Sequence, residues 1–259
     1  MTYKIVADDY GMSTGINRVI SELIGRSIIS KVSVMSNESA EYAMNDIKKN
    51  VMTGLHVNLT VGTGKNDGQN NSFLRLIYLV YSNKLSIKQI RNNIRHQTAF
   101  LRNRGFEFSY LDTHHHIHII PKVLKALILH AKTEGIRSIR CITMEKKYCI
   151  FYFYSLMRFG FMAQVPKMMF LYSAGLLMKA RLDSAGITYC KNLILMPLAT
   201  KGDYAGLLGS FIDKFESADS EIVTHPGPEA EIGGPDDYTG RFIEYRSLLS
   251  LTGRNFHRQ

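Results

Sequence analysis

Apolar positions along this chain follow two periods, one of two residues and one of three to four, and the two alternate from the first residue onward. Tyr3 to Ala7 reads as a short strand that stops at Asp8-Asp9-Tyr10-Gly11. Ser13 is placed to cap a helix carrying Ile16, Ile20, Leu23 and Ile24 at helical spacing. Ile28 to Met35 predicts a second strand, in which Val32 and Val34 alternate with Lys31 and Ser33. Glu38 to Lys49 reads as helix, Val51 to Thr60 as a third strand, and Gly62 to Ser72, rich in Gly and Asn, as a loop. Ser86 caps a long helix with Ile87, Ile90, Ile94 and Leu101 on one side. Phe106 to His118 predicts a strand ending in histidines, Pro121 opens the next helix, and Ile136 to Ile142 is another strand. Strand-like Asn192 to Met196, helix-like Tyr204 to Phe215, strand-like Glu221 to Thr224 and a helix from about Thr239 complete the pattern.

Repeated strand-helix alternation implies a parallel sheet, because parallel strands need crossover connections. With 259 residues, no internal repeat and no visible boundary, the chain is expected to form a single α/β domain. A distorted, TIM-like (β/α) barrel fits that many units, with its active site at the C-terminal ends of the strands. The polar clusters sit at those ends: Asp8-Asp9, His56-Val57-Asn58, His114 onward, and His225.

Composition narrows the reading a little. Apolar residues make up 45%, an ordinary share for a globular protein. The formal net charge of +10 suits an anionic partner or a solvated basic surface, and no nucleic-acid partner is expected. The three cysteines, Cys141, Cys149 and Cys190, are odd in number and form no Cys-x-x-Cys pair, which argues against a disulfide framework or a thiolate zinc site. Asp8 and Asp9 precede any apolar stretch of signal-peptide length, and no run reaches the ~18 apolar residues of a membrane span. A cytoplasmic protein is expected, with the inner face of the membrane within its reach. A homodimer is among the assemblies the sequence leaves open.

The histidine segment carries the strongest chemical signal. In a strand, Asp112, His114, His116 and His118 would share one face. Burying several imidazoles without partners is costly, and a metal ion or a solvent-filled cleft removes that cost. The apolar flanks Leu111, Ile117, Ile119 and Ile120 argue against a freely exposed histidine loop. The same alternation places His56, Asn58 and Thr60 together. Alone, His56 would read as a hydrogen-bonded core histidine. Matching donors at two other strand ends raise its standing as a ligand. Adjacent aspartates often mark nothing more than a capped turn. Their functional reading divides labour: one carboxylate ligates a metal and its neighbour accepts a proton, although spacing leaves the two interchangeable. The Pro226-Gly227 turn would hold His225 at a strand mouth, where an acid for a leaving amine would fit, although by itself this residue reads more readily as a lone structural histidine.

Together, Ala7-Asp8-Asp9-Tyr10-Gly11 with Asn17, Gly54 to Thr60, Leu111 to His118 with Pro121, and His225-Pro226-Gly227 resemble the YdjC-like carbohydrate deacetylase family, which includes chitooligosaccharide deacetylases and hopanoid-biosynthesis relatives. The resemblance implies a distorted (β/α) barrel and one divalent ion, magnesium or zinc. It implies Asp9, His56 and His114 as metal ligands, Asp8 as general base and His225 as the acid for the departing amine. Asn58, His116 and Arg140 are expected to contact substrate. The implied reaction is hydrolysis of an N-acetyl group on an amino sugar, free or in a glycolipid, with release of acetate. A different metal-dependent hydrolase on this scaffold, such as a phosphoesterase, and a catalytically inactive carbohydrate-binding homologue are the rivals.

Residues 144 to 182 depart from the family pattern and read as a variable insertion, rich in methionine and aromatic residues and punctuated by Lys146, Lys147, Arg158, Lys167, Lys179 and Arg181. It is read as core helices covering the barrel or, over 148–178, as an amphipathic element in peripheral contact with a membrane or a surface for a protein partner.

Overall fold

A computed structural model describes residues 3–37, 47, 51–60, 73–215, 219–229 and 240–251. Seven parallel strands lie among them, in the spatial order β5-β4-β3-β2-β1-β7-β6, curled into a half-barrel with helices packed outside. They are β1 (Tyr3–Tyr10), β2 (Lys31–Val34), β3 (Met52–Val57), β4 (Tyr110–Thr113), β5 (Ser138–Ile139), β6 (Asn192–Leu195) and β7 (Ser220–Thr224). Every residue of β2, β4, β6 and β7 is buried, as expected of parallel strands covered on both faces. Between β5 and β6 the sheet is open, but Leu193 donates its backbone N–H to Thr143 O at 2.8 Å and Ile139 donates to Thr188 O at 3.1 Å, so irregular backbone bridges part of the seam.

The helices form where caps and apolar stripes agree. In α1 (Thr14–Gly25) the Ser13 hydroxyl accepts from the Ile16 N–H, and Ile16, Val19, Ile20, Leu23 and Ile24 face the sheet. The apolar helix α2 (Phe73–Tyr81) follows, then α3 (Ile87–Arg102), which begins with a Ser86/Gln89 capping box. Pro121 opens α4 (Pro121–Glu134), and Gly135, at φ 71°, ends it in the left-handed conformation. The later helices are α5 (Lys146–Arg158), α6 (Val165–Ala185), α7 (Tyr204–Phe215) and α8 (Gly240–Leu249). The helix read at Glu38 to Lys49, apart from Ile47, and the loop read at Gly62 to Ser72 lie outside the described residues.

One sequence expectation is corrected. The strand read from Phe106 to His118 shrinks to β4, and His114–Ile119 forms a 3-10 turn instead. His115 and His116 adopt φ 56° and 53°, left-handed values that end strand alternation and cost about 1 kcal/mol or more each. The four polar side chains therefore do not share a face of one strand.

The segment 144–182 contributes α5 and α6. Met168, Leu171, Gly175, Met178 and Leu182 form the buried stripe of α6. Gly175 sits so close to the backbone following β5 that a Cβ built on it would lie 1.7 Å from Ile142 O. Gly175→Ala should therefore destabilise the fold by about 1–3 kcal/mol through forced separation of the two segments. Chemical denaturation measures this, and an unchanged midpoint would contradict the packing described.

Candidate active site

The strand ends gather one buried polar cluster, and backbone geometry explains how both aspartates enter it. Along β1 and β2, Ala7 pairs with Val32 but Tyr10 pairs with Val34, so β1 carries one extra residue, a bulge at Asp8-Asp9. Asp9 takes φ 68° there. In a regular strand neighbouring side chains point to opposite faces. With the bulge, both aspartates are buried in the same cluster, each only 1% exposed.

Asp8 is clamped by Arg140. The guanidinium donates from Nη1 to Oδ2 at 2.6 Å and from Nη2 to Oδ1 at 2.7 Å. The same Nη2 lies 2.7 Å from Asp112 Oδ2 and donates to Ser33 Oγ at 3.1 Å. Asp112 also accepts from Ser33 Oγ at 2.6 Å, and its other oxygen meets His56 Nδ1 at 2.7 Å. Register makes this contact: His56 of β3 lies directly beside Asp112 of β4. One row deeper, Gly54 leaves the space that the Tyr110 ring fills, and Tyr110 bonds Ser33 at 2.8 Å.

Asp9 Oδ1 lies 3.2 Å from His56 Nε2 and 3.0 Å from His114 Nδ1, while its Oδ2 accepts from Arg241 Nη2 at 2.7 Å. One donor atom each from Asp9, His56 and His114 fall within 4.8 Å of one another, as do atoms of Asp8, His56 and Asp112. The first set is the better cation site. In the second, Arg140 holds both Asp8 oxygens and Asp112 holds His56 Nδ1. That Asp112 contact fixes His56 so that Nε2 faces Asp9, the outer-shell carboxylate arrangement common behind metal-binding histidines. Two imidazole nitrogens and a carboxylate oxygen also form a donor set that divalent first-row ions accept.

Charge follows from this packing. Burial alone would raise Asp8, but Arg140 and His56 hold it well below the usual carboxylate range. Arg241 and His114 do the same for buried Asp9. Burial works against an imidazolium at His56, yet Asp112 and Asp8 raise it to about 10. His225 goes the other way: burial pushes it down to about 4 despite the pull of Asp9 and Asp8. Its Nε2 is 3.9 Å from Asp8 Oδ2. Burial also drives His118 to about 3 and keeps His116 neutral.

A cavity of about 570 Å³ opens onto this cluster. Asp8, Asp9, His56, His114, His116, His225 and Arg241 form its polar floor, while Phe73, Ile119, Met168, Phe170, Leu171, Met196 and Leu198 form apolar walls. His116 Nδ1 is buried with no hydrogen-bond partner among the described residues. Arg140 and Asn58, expected as substrate contacts, do not line the cavity. Arg140 is enclosed by Asp8 and Asp112, and Asn58 exchanges hydrogen bonds with Gln97 and Thr60. His115 is exposed at the edge of the cavity, which it helps to line, and meets Thr60 Oγ1 at 3.1 Å.

Sequence reasoning missed Ser33, Arg241 and Glu244. The last two lie three residues apart on α8, on the face that buries Leu248. Two charged residues on a buried helical face are the signal that was available. Glu244 accepts a hydrogen bond from the His225 backbone N–H and is itself raised to about 7 by burial. Gly227 lets α8 approach: a Cβ there would come within 2.9 Å of Arg241 Cβ.

The model of the YdjC-like protein family matches residues 4–259, and the chain belongs to that family. Carbohydrate deacetylases of Clostridium beijerinckii and Oceanobacillus iheyensis are 32% and 28% identical over 151 and 141 residues, 54% and 51% of this chain. Each match spans 61% of the relative's own length. A protein of Enterococcus faecalis V583 named for cellobiose-phosphate cleavage shares the fold, with a TM-score of 0.65, 14% identity, and coverage of 95% of this chain and 89% of its own.

The imidazoles set an acid limit on the metal-free protein. Unfolded histidines take up protons near pH 6.5, whereas folded His118 and His225 resist until about 3 and 4, and His116 resists as well. Between pH 6.5 and 4.5 the unfolded state therefore binds more protons, and stability falls as pH falls. Glu244, raised to about 7, and His56, raised to about 10, oppose this, but His56 does so only near pH 6.5, where an unfolded histidine is half protonated, so the three neutral imidazoles prevail below it. Melting temperatures of chelator-treated protein should drop steadily from pH 6.5 to 4.5, and a flat or rising profile would contradict the assigned neutral imidazoles.

Proposed function

We propose that this chain is a metal-dependent hydrolase that removes the N-acetyl group from an amino sugar and releases acetate. The observation that carries the reading is the convergence of Asp9, His56 and His114 on one point, with Asp8 beside them and His225 at 3.9 Å from Asp8, on the floor of an open cavity. Family membership and the names of the deacetylase relatives agree with it.

Asp9, His56 and His114 would hold the ion, and their nitrogen-rich donor set favours zinc over magnesium, which prefers oxygen ligands. Bound there, a divalent ion supplies Lewis acidity, polarising an amide carbonyl and bringing a water's pKa to about 7. Asp8, kept ionised by Arg140, accepts a proton from so acidic a nucleophile. His225, neutral at rest with Nε2 3.9 Å from Asp8, would take up that proton through one bridging water or a short approach and pass it to the departing nitrogen. Arg140 acts through Asp8 and Asp112 as a positioning residue. His116, whose ring lines the cavity, is the group placed to bind a sugar hydroxyl or the acetamide. Arg241 keeps the remaining Asp9 oxygen in place.

Acetate release from a panel of N-acetylhexosamine derivatives, combined with metal analysis of the purified protein, tests the reading. Asp8→Asn should lower kcat by roughly 10²-fold or more while metal content stays at the parent level. Asp112→Asn should weaken metal affinity by about 10–100-fold with the three ligands intact. A metal-loaded protein that releases no acetate from any acetamido sugar would overturn the proposal.

A further inference from the structure

The apolar wall of the cavity continues onto the outside of the molecule. Helix α6 is apolar on two sides: opposite its buried stripe, Met169, Phe170, Leu176 and Leu177 are 56–68% exposed. A helix apolar all round is ordinarily enclosed, and large exposed apolar patches mark contact sites. Two further helices repeat the pattern. Leu74, Tyr78 and Tyr81 are exposed at i, i+4 and i+7 on α2, and Ile150, Tyr154 and Met157 at the same spacing on α5. Phe73 of α2 and Phe170 of α6 both border the cavity, so apolar outer faces flank its entrance.

Charge identifies the occupant. The lysines and arginines are spread along the sequence, but the carboxylates are not. From 73 to 106 there are seven basic residues and no acidic one, and from 146 to 182 six basic and no acidic. Together these exceed the +10 of the whole chain, so the remainder is slightly acidic. The second segment contributes α5 and most of α6; the first contributes α2, with Arg75, and α3, which carries four of its seven basic residues. Lys167 and Arg181 stand at either end of the exposed side of α6, and Lys167 reaches the cavity. Exposed apolar side chains framed by cations match the boundary of an anionic bilayer, where acyl chains lie beneath charged headgroups. No described helix is long and apolar enough to cross a membrane, which fits contact in the plane of the surface.

We infer that the cavity end of this protein docks peripherally on anionic phospholipid through the outer faces of α2, α5 and α6. The accompanying substrate class, an N-acetylated sugar carried on a lipid whose first apolar segment lies along the Phe73–Phe170 wall, rests on the deacetylase reading; the docking does not.

Flotation of the full chain with vesicles tests the docking. The protein should rise with vesicles of phosphatidylcholine containing one part in about three of phosphatidylglycerol, at least ~10-fold more than with phosphatidylcholine alone, and lose that preference in high salt. Leu176→Glu with Leu177→Glu, both outside the cavity lining, should reduce flotation at least ~10-fold while metal content and melting temperature stay at parent values. Failure of the intact chain to float, or unaltered flotation of the double variant, overturns the inference. So does a dimer that the double variant dissociates without any vesicle binding, which would make a second copy the occupant, or preferential binding of duplex nucleic acid at equal salt. Because none of these readouts needs turnover, an absent deacetylase activity and an absent membrane contact are told apart.

Discussion

The site depends on one enclosed guanidinium. Arg140 satisfies Asp8 with two hydrogen bonds and Asp112 with a third contact, and Asp112 orients His56. Buried carboxylates are costly unless paired, and removing one partner of such a pair is far worse than never having built it. Without Arg140, Asp8 and Asp112 would face each other as uncompensated charges, one would take up a proton, and His56 would lose its anchor. The residue touches neither the cavity nor the candidate ion position, yet the proposed base, Asp8, and the proposed ligand, His56, both derive their state from it. Arg241 plays the smaller, parallel part for Asp9.

The balance of charge in this cluster would also couple proton release to the binding of a metal ion. Asp8, Asp9 and Asp112 bring three negative charges, and Arg140 and Arg241 bring two positive ones. The remaining negative charge is one reason His56, raised to about 10, holds its proton where no cation competes for it. An ion can occupy the position only by displacing that proton, because imidazole ligates as the neutral base.

Much of the architecture was legible in the sequence. The alternation of periods gives the parallel sheet, Ser13, Ser86 and Pro121 mark helix starts where the structure has them, and Tyr204–Phe215 is a helix with the bounds the pattern implies. The histidine segment was misread because strand alternation is a local rule, and nothing in the side chains of His115 and His116 announces left-handed backbone. Asp9, His56 and His114 gather as the motif order suggested. Arg140 and Asn58 were expected as substrate contacts but do not line the cavity, because sequence cannot tell a side chain that supports a wall from one that forms it. Arg241 and Glu244 come from α8, more than 200 residues from Asp9, and only folding brings them near. The basic charge looked diffuse until the placement of the carboxylates was considered alongside it.

The bulge at Asp8-Asp9 makes the difference between the two aspartates a property of the main chain. Asp9 has left-handed backbone, which asparagine tolerates at least as well as aspartate and branched residues tolerate poorly. Replacing Asp9 with asparagine therefore removes charge while sparing conformation, whereas valine would remove both. The pair of substitutions separates what the carboxylate contributes electrically from what the kinked backbone contributes by aiming it, a separation that a straight strand would not permit.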